Sequence, residues 1–247
     1  MIYLEDKKAG SIYLGDKKLS KIYLGDKLVW EGYKKGHIVG TGKAGTDFST
    51  TAFGLDGKRH DIVTHIDNNG KFDIDLSFVF DPRYANIFRS NAYIYTVDSF
   101  SVTITSKSSG SQLDASFYNC SNLISANISR IKVTNAIGLS SIFYRSSVQY
   151  IYTKGFPWDK ITTIENCFKD LPDLKELDLS GANFDNTEIS IRSFVGSYCF
   201  KDIGSVGTII KVIGCSETTQ NKILSTLNNY NSSQKWELEN GIITRTE

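Results

Sequence analysis

The chain is poor in residues that often carry catalysis or bind metals. Its 247 residues include only three histidines, all before residue 66, so no Ser-His-Asp or Cys-His grouping is visible. Cys120, Cys167, Cys199 and Cys215 lie far apart and form no C-x-x-C pair, which excludes the usual spacing of metal ligands. We expect small buried thiols, with one disulfide as the alternative. The sequence therefore predicts no metal, no cofactor and no enzyme activity.

Long apolar runs and an excess of charge are also missing. No stretch of 18 apolar residues predicts a transmembrane helix. Lys and Arg number 28 against 27 Asp and Glu, so the basic surplus typical of nucleic-acid binders is absent. The first residues are strand-like and do not resemble a secretory signal. We expect a protein made in the cytoplasm, including one assembled there into a virus particle.

The first thirty residues repeat a ten-residue unit. Ile2–Lys8 is followed by the near-copies Ile12–Lys18 and Ile22–Leu28. Gly-Asp between two strand-like segments is typical of a two-residue hairpin turn. This turn predicts Leu14 opposite Lys17 and Ile12 opposite Leu19.

Apolar side chains fall on both faces of these predicted hairpins, so something must cover them. Packing on the rest of the chain and docking on another subunit are both open, and residues 1–34 are interpreted as a β-hairpin repeat anchor. Residues 22–31 resemble the I-Y-L-G-x-x hairpin repeats of phage tail and other virion proteins, which implies a phage particle component. The candidate assembly interface comprises Ile12, Leu14, Ile22, Tyr23, Leu24, Leu28 and Trp30.

Residues 35–85 are predicted to form a small antiparallel β-domain. Apolar and polar residues alternate on both sides of Asn68-Asn69-Gly70, which predicts a hairpin with Ile66 opposite Phe72 and Ile62 opposite Leu76. His65, Asp73 and Asp75 then face outward. A metal site there is an alternative, but outward hairpin residues are usually only solvated.

A longer period of 25 to 29 residues begins near residue 86. Its anchors are Phe88, Phe117, Phe143, Phe168 and Phe194. The clearest copy carries L-x-x-L-x-L at Leu174, Leu177 and Leu179, the core pattern of leucine-rich repeats. Weaker copies occupy 123–128 and 148–153. The pattern predicts a solenoid over 86–247, capped by a helix that begins at Thr218-Thr219 and by a last strand from Trp236.

Two stretches, Phe117–Leu123 and Cys167–Ser180, resemble BspA-like leucine-rich repeats. The resemblance implies adhesion from a cell surface or a virion, without catalysis.

The residues on either side of the second leucine should point out of the sheet. Across three copies they form a surface of aromatic, amide and carboxylate groups that suits a sugar ring. An ordinary solvated sheet is the alternative, as is a carboxylate pair of a glycan depolymerase at Glu176 and Asp178. The candidate ligand-binding residues are Ser125, Asn127, Tyr150, Tyr152, Glu176 and Asp178, with Trp158 extending the surface.

The sequence thus predicts a mainly β (α+β) protein: hairpin repeats, a small β-domain and a leucine-rich-repeat-like solenoid with a capping helix. We expect a non-enzymatic phage virion structural protein, of tail or head fibre type, that attaches by its N-terminus and recognises a host-surface glycan or protein. Its partners would be virion subunits or copies of itself, without nucleic acid or membrane. A bacterial surface adhesin or scaffold is the main alternative.

Overall fold

The computed structural model describes residues 12–14, 17–19, 21–24, 27–31, 36–54, 59–76, 80–81, 87–104, 113, 115–133, 137–185, 199–230 and 233–247. The protein is mainly β, as the sequence predicts, with a single α-helix in the described residues. The strands are β1 (Ile12–Leu14), β2 (Lys17–Leu19), β3 (Lys21–Leu24), β4 (Lys27–Glu31), β5 (His37–Gly42), β6 (Asp47–Gly54), β7 (Arg59–His65), β8 (Lys71–Asp75), β9 (Phe80–Asp81), β10 (Ile94–Ser101), β11 (Thr103–Ile104), β12 (Ser125–Asn127), β13 (Lys132–Val133), β14 (Ile137–Ser140), β15 (Tyr150–Tyr152), β16 (Ile161–Glu165), β17 (Glu176–Asp178), β18 (Ile209–Lys211), β19 (Trp236–Glu239) and β20 (Ile242–Arg245).

A large mixed sheet organises the molecule, in the order β19-β20-β18-β17-β15-β12-β10-β5-β8. Its centre, β10-β12-β15-β17-β18, is wholly parallel, and antiparallel strands flank it on both sides. Parallel neighbours need a crossover, so the chain returns to the same end of the sheet before each new strand. The alternate positions expected to point inward are buried: Leu123, Ala126, Ile128, Val148, Ile151, Thr153, Leu174, Leu177 and Leu179.

A phenylalanine ladder runs beside this parallel centre, formed by Phe88, Phe117, Phe143, Phe168 and Phe200. Successive rings are stacked, with centroids 5.4, 5.0, 6.1 and 5.5 Å apart. The backbone is linked at the same intervals. The amide of each of the first four ladder phenylalanines donates to the carbonyl of the residue just before the next ladder phenylalanine. The fifth ring is Phe200, whereas the sequence pattern favoured Phe194, which lies outside the described residues.

Each turn of the ladder contains a left-handed residue two positions after its phenylalanine. These are Ser90, Asn119, Arg145, Asp170 and Asp202, with φ of 56°, 55°, 59°, 54° and 57°. Non-glycine residues rarely adopt this conformation, so its recurrence marks the same local turn in five places. Cys120, Cys167 and Cys215 donate from Sγ to the carbonyls of Phe88, Leu139 and Leu179. All four cysteines are free and buried.

The middle segment pairs differently from the predicted hairpin. Strand β7 pairs with β6, and β8 pairs with β5 in the large sheet, so the expected pairing of Ile62 with Leu76 and Ile66 with Phe72 is wrong. Ile66, Phe72 and Leu76 are nevertheless buried, as the alternation predicts. Strand β5 also pairs with β10, so the large sheet continues across the predicted division between residues 85 and 86.

Two N-terminal pairs, β1-β2 and β3-β4, are antiparallel. Leu14 lies opposite Lys17 and Ile12 opposite Leu19, the register expected from the Gly-Asp turn. The second pair contains an irregularity after Ile22. The first copy, at 2–8, lies outside the described residues. So do the side chains of the candidate assembly interface, and that interface stays a prediction.

The C-terminal segment comprises helix α1 (Glu217–Tyr230) and the antiparallel pair β19-β20. The expected helix start at Thr218-Thr219 is wrong, because the helix begins at Glu217. Ser216 caps it, since its Oγ accepts the Thr219 N–H at 3.0 Å. Thr219 is buried and its hydroxyl donates to Asp185 Oδ1. Ile223, Leu227 and Trp236 are buried. No helix among the described residues is long and apolar enough to span a membrane.

Candidate functional site

Two rows of outward side chains cross the parallel centre of the sheet. The first row is Ser125, Tyr150, Glu176 and Ile209, and the second row is Asn127, Tyr152, Asp178 and Lys211. In-register pairing places each member directly beside the next, about 4.8 Å away across the strands. We call the two rows together the outer face. It contains six of the residues that the sequence singled out for ligand binding.

Tyr152 is the most accessible aromatic ring of the outer face, with 38% of its surface exposed. Partial burial, with Glu176 nearby, raises the pKa of its phenol. Tyr150 is half-buried, and Lys175 Nζ lies 5.9 Å from its ring centroid. Tyr152 stands between Asn127 and Asp178, so an aromatic surface is bordered on both sides by planar polar groups.

A salt bridge joins the two rows. Lys211 Nζ lies 2.6 Å from Glu176 Oε1, and this hydrogen bond raises the pKa of Lys211. The pair fixes the orientation of Glu176 and adds a cation to the surface. The sequence did not predict Lys211 as a member of the second row. The step from Phe168 to Phe200 is longer than the expected period of 25 to 29 residues, so the period did not locate the strand that carries Lys211.

Asn127 and Asp178 also shape the ends of their strands. Asn127 Oδ1 accepts the Ser129 N–H at 3.1 Å, and Asp178 Oδ1 accepts the Ser180 N–H at 2.9 Å. These are Asx turns, in which the side chain replaces a backbone acceptor. Each side chain is therefore held in a defined position while remaining only half-buried.

Trp158 does not belong to the outer face. Only 3% of the residue is exposed, and its ring contacts Phe156 and Phe184, with centroids 4.7 and 5.5 Å away. Its Nε1–H donates to Thr153 Oγ1 at 3.2 Å. Our expectation that Trp158 extends the binding surface is corrected by this burial, since a tryptophan in the core cannot reach a ligand on the sheet.

The alternative metal site in the middle segment does not assemble. His65 and Asp73 lie on strands of different sheets; His65 Nδ1 lies 2.6 Å from Asp47 Oδ1, and His37 pairs with Asp73. Within the described residues, no group of three or more His, Cys, Asp or Glu side chains could hold a metal ion.

No protein-family model, no curated protein and no solved structure matches this chain. The outer face offers an accessible aromatic ring, ordered amide and carboxylate oxygens and a paired cation, on rigid strands. Such a surface can bind a ligand by apolar contact together with directed hydrogen bonds.

Proposed function

We propose that this chain is a non-enzymatic recognition protein whose outer face binds a surface glycan. The observation that carries the proposal is the position of Tyr152, half-exposed between Asn127 and Asp178 on in-register strands. The apolar face of a sugar ring would contact the phenol ring, and sugar hydroxyls would hydrogen-bond to the flanking oxygens.

The architecture proposed for residues 86–247 is a leucine-rich-repeat-like solenoid. It is supported by the parallel pairing of β10, β12, β15, β17 and β18, by the phenylalanine ladder and by the left-handed residue that recurs after each ring. A stack of this kind presents equivalent positions of successive copies as continuous rows. That property supports recognition of an extended ligand.

We further propose that the protein is a phage virion component attached through residues 1–34. Support comes from the ten-residue repeat, the resemblance of residues 22–31 to virion hairpin repeats and the antiparallel pairing of β1-β2 and β3-β4. In this arrangement one end joins the particle or other copies of the chain, and the other presents the outer face to the host.

A glycan array tests the recognition function directly. Wild type should bind a defined set of glycans, and the Tyr150→Ala plus Tyr152→Ala variant should lose most of that signal. Tyr93→Ala is the matched control, because Tyr93 is 43% exposed but precedes β10 and lies outside both rows. Equal loss of signal in the control, or no loss in the double variant, would reject the outer face as the site.

Deletion of residues 1–34 tests the attachment function separately. The shortened protein should keep its glycan signal and its cooperative unfolding, yet fail to join the particle or oligomer that the full chain forms. Assembly that survives the deletion would remove the anchor from the proposal while leaving glycan recognition intact.

A further inference from the structure

A second surface lies in the turns that carry the phenylalanine ladder. Arg89, Tyr118, Tyr144 and Lys169 each directly follow a ladder phenylalanine, and Arg145 follows Tyr144. We call these five residues the turn stripe. Tyr118 and Tyr144 stand next to each other with ring centroids 5.4 Å apart, which places the stripe along the stack in the same steps as the ladder.

The cations of the turn stripe cover its aromatic rings. Arg89 Cζ lies 5.1 Å from the centroid of Tyr118, while Arg145 Cζ and Lys169 Nζ lie 4.9 and 5.2 Å from that of Tyr144. Cation–π contacts of this kind hold the long side chains in place and reduce the conformational entropy lost on binding. The result is a row of ordered positive charges rather than of scattered flexible ones.

Backbone hydrogen bonds connect successive turns of the stripe. The amides of Ser90, Asn119 and Arg145 donate to the carbonyls of Tyr118, Tyr144 and Lys169 at 2.7, 2.9 and 3.3 Å. These three amides are therefore engaged within the protein, which favours binding through side chains. Arg89 and Arg145 are exposed, and their guanidinium groups suit the bidentate recognition of planar or tetrahedral anions.

A carboxylate also lies beside the stripe. Asp170 Oδ2 lies 3.5 Å from Arg145 Nε, so it offsets part of the positive charge. Arg89 and Arg145 are nevertheless both exposed to a ligand.

We propose that the turn stripe binds a linear anionic polysaccharide whose sugars carry carboxylate or sulfate groups. Several fixed cations in a line match a polymer with regularly spaced anions, and multivalent contact strengthens weak individual pairs. Nucleic acid fits less well, because base stacking needs open aromatic faces and the cations already lie over both rings. The proposal does not depend on the outer face.

Affinity measurements at low salt with four chain polymers test the proposal. Wild type should bind heparin (sulfate plus carboxylate) or hyaluronan (carboxylate only), should ignore neutral dextran, and should bind poly-dT more weakly than the preferred anionic glycan. Comparison of heparin with hyaluronan shows whether sulfate groups and a higher charge density strengthen binding. Inorganic sulfate at the same anion concentration should not displace the polymer. Tighter binding of poly-dT, or displacement by sulfate alone, would overturn the assignment to a polysaccharide.

Two sets of charge variants locate the site. Arg89→Gln, Arg145→Gln and Lys169→Gln combined should weaken binding at least tenfold. The control set Lys43→Gln, Arg130→Gln and Lys154→Gln changes the net charge equally at exposed positions outside the stripe, and should weaken it less than threefold. Equal losses would show a general charge effect and contradict the proposal.

Asp170→Asn should raise the affinity for the anionic chain, an effect that misfolding cannot produce. Asparagine tolerates the left-handed backbone at this position, where φ is 54°, and removal of the competing carboxylate should tighten binding two- to fivefold. The Tyr150→Ala plus Tyr152→Ala variant should bind the anionic chain as wild type does. Unchanged affinity in Asp170→Asn, or lost affinity in the tyrosine variant, would place the anionic ligand elsewhere.

Discussion

At the scale of single residues, the phenylalanine ladder links the turns that precede successive strands of the parallel centre. Its rings are almost fully buried, and adjacent rings are tilted by at most 20° from one another. Each inner ring therefore contacts one ring on either side. Because the backbone hydrogen bonds follow the same step, the loss of one inner ring disturbs the packing of the turns on both sides.

Phe143→Ala should lower the free energy of unfolding by about 3–5 kcal/mol, since it removes a buried ring and leaves a cavity between Phe117 and Phe168. Urea unfolding followed by circular dichroism measures the change. Val63→Ala is the control, because Val63 is 69% exposed and its truncation should cost less than about 0.5 kcal/mol. Equal stability of the two variants would show that the ladder contributes little.

The buried thiols predict a stability loss in alkaline solution. Burial raises the pKa of Cys120 and of Cys199 to about 12, against 9.0 for an ordinary thiol. The folded state then keeps protons that the unfolded state releases, so stability falls as the pH rises from 9 towards 12, by about 1 kcal/mol per pH unit for each thiol. Unfolding measured across this range should show a shallower decline in Cys120→Ala plus Cys199→Ala. Identical slopes of stability against pH in the variant and in wild type would contradict the raised pKa of these two thiols.

At the scale of elements, the sequence reveals which side chains are buried more reliably than which strands pair. The alternation in 62–76 correctly placed Ile66 and Phe72 inside, but that burial is compatible with pairing to β6 and β5 as well as with the expected hairpin. The partner strands come from elsewhere in the chain, and a local pattern does not identify them.

The start of helix α1 shows the same limit. Two threonines predicted a cap at Thr218-Thr219, whereas the preceding Ser216 supplies it. Thr219 instead accepts the Phe184 N–H and donates to Asp185, contacts 34 and 35 residues away. Tertiary hydrogen bonds decided between capping residues of similar intrinsic preference.

Ser216→Ala should therefore destabilise the protein by about 1–2 kcal/mol, because the Thr219 N–H loses its acceptor and Asp185 loses a donor. Ser225→Ala within the same helix is the matched control. Within the part of the chain that the structure describes, its hydroxyl bonds to the Lys222 carbonyl of the same helix, and alanine favours the helix interior, so the change should be below about 0.5 kcal/mol. Thermal or urea unfolding of both variants measures the two losses of stability. A loss in Ser225→Ala as large as that in Ser216→Ala, or larger, would refute Ser216 as the helix cap.

At the scale of the whole molecule, the large sheet joins β5 and β8 to the parallel strands, and one continuous core extends from Ile38 to Ile243. The outward rows could be predicted because strand alternation fixes the side of Tyr150, Tyr152, Glu176 and Asp178. The position of Lys211 in the second row and the burial of Trp158 could not be predicted. Lys211 follows the longer step from Phe168 to Phe200, and Trp158 is buried by a contact with Phe184 that no local pattern encodes.

Isothermal titration of the glycan that ranks first on the array, against Tyr152 variants, is the most direct test of the account. Tyr152→Phe keeps the ring and should bind within about threefold of wild type, whereas Tyr152→Ala should bind at least about tenfold more weakly, a loss of about 1.4 kcal/mol. Tyr93→Ala should match wild type. Equal affinities of wild type and Tyr152→Ala would contradict the claim that the outer face recognises glycan.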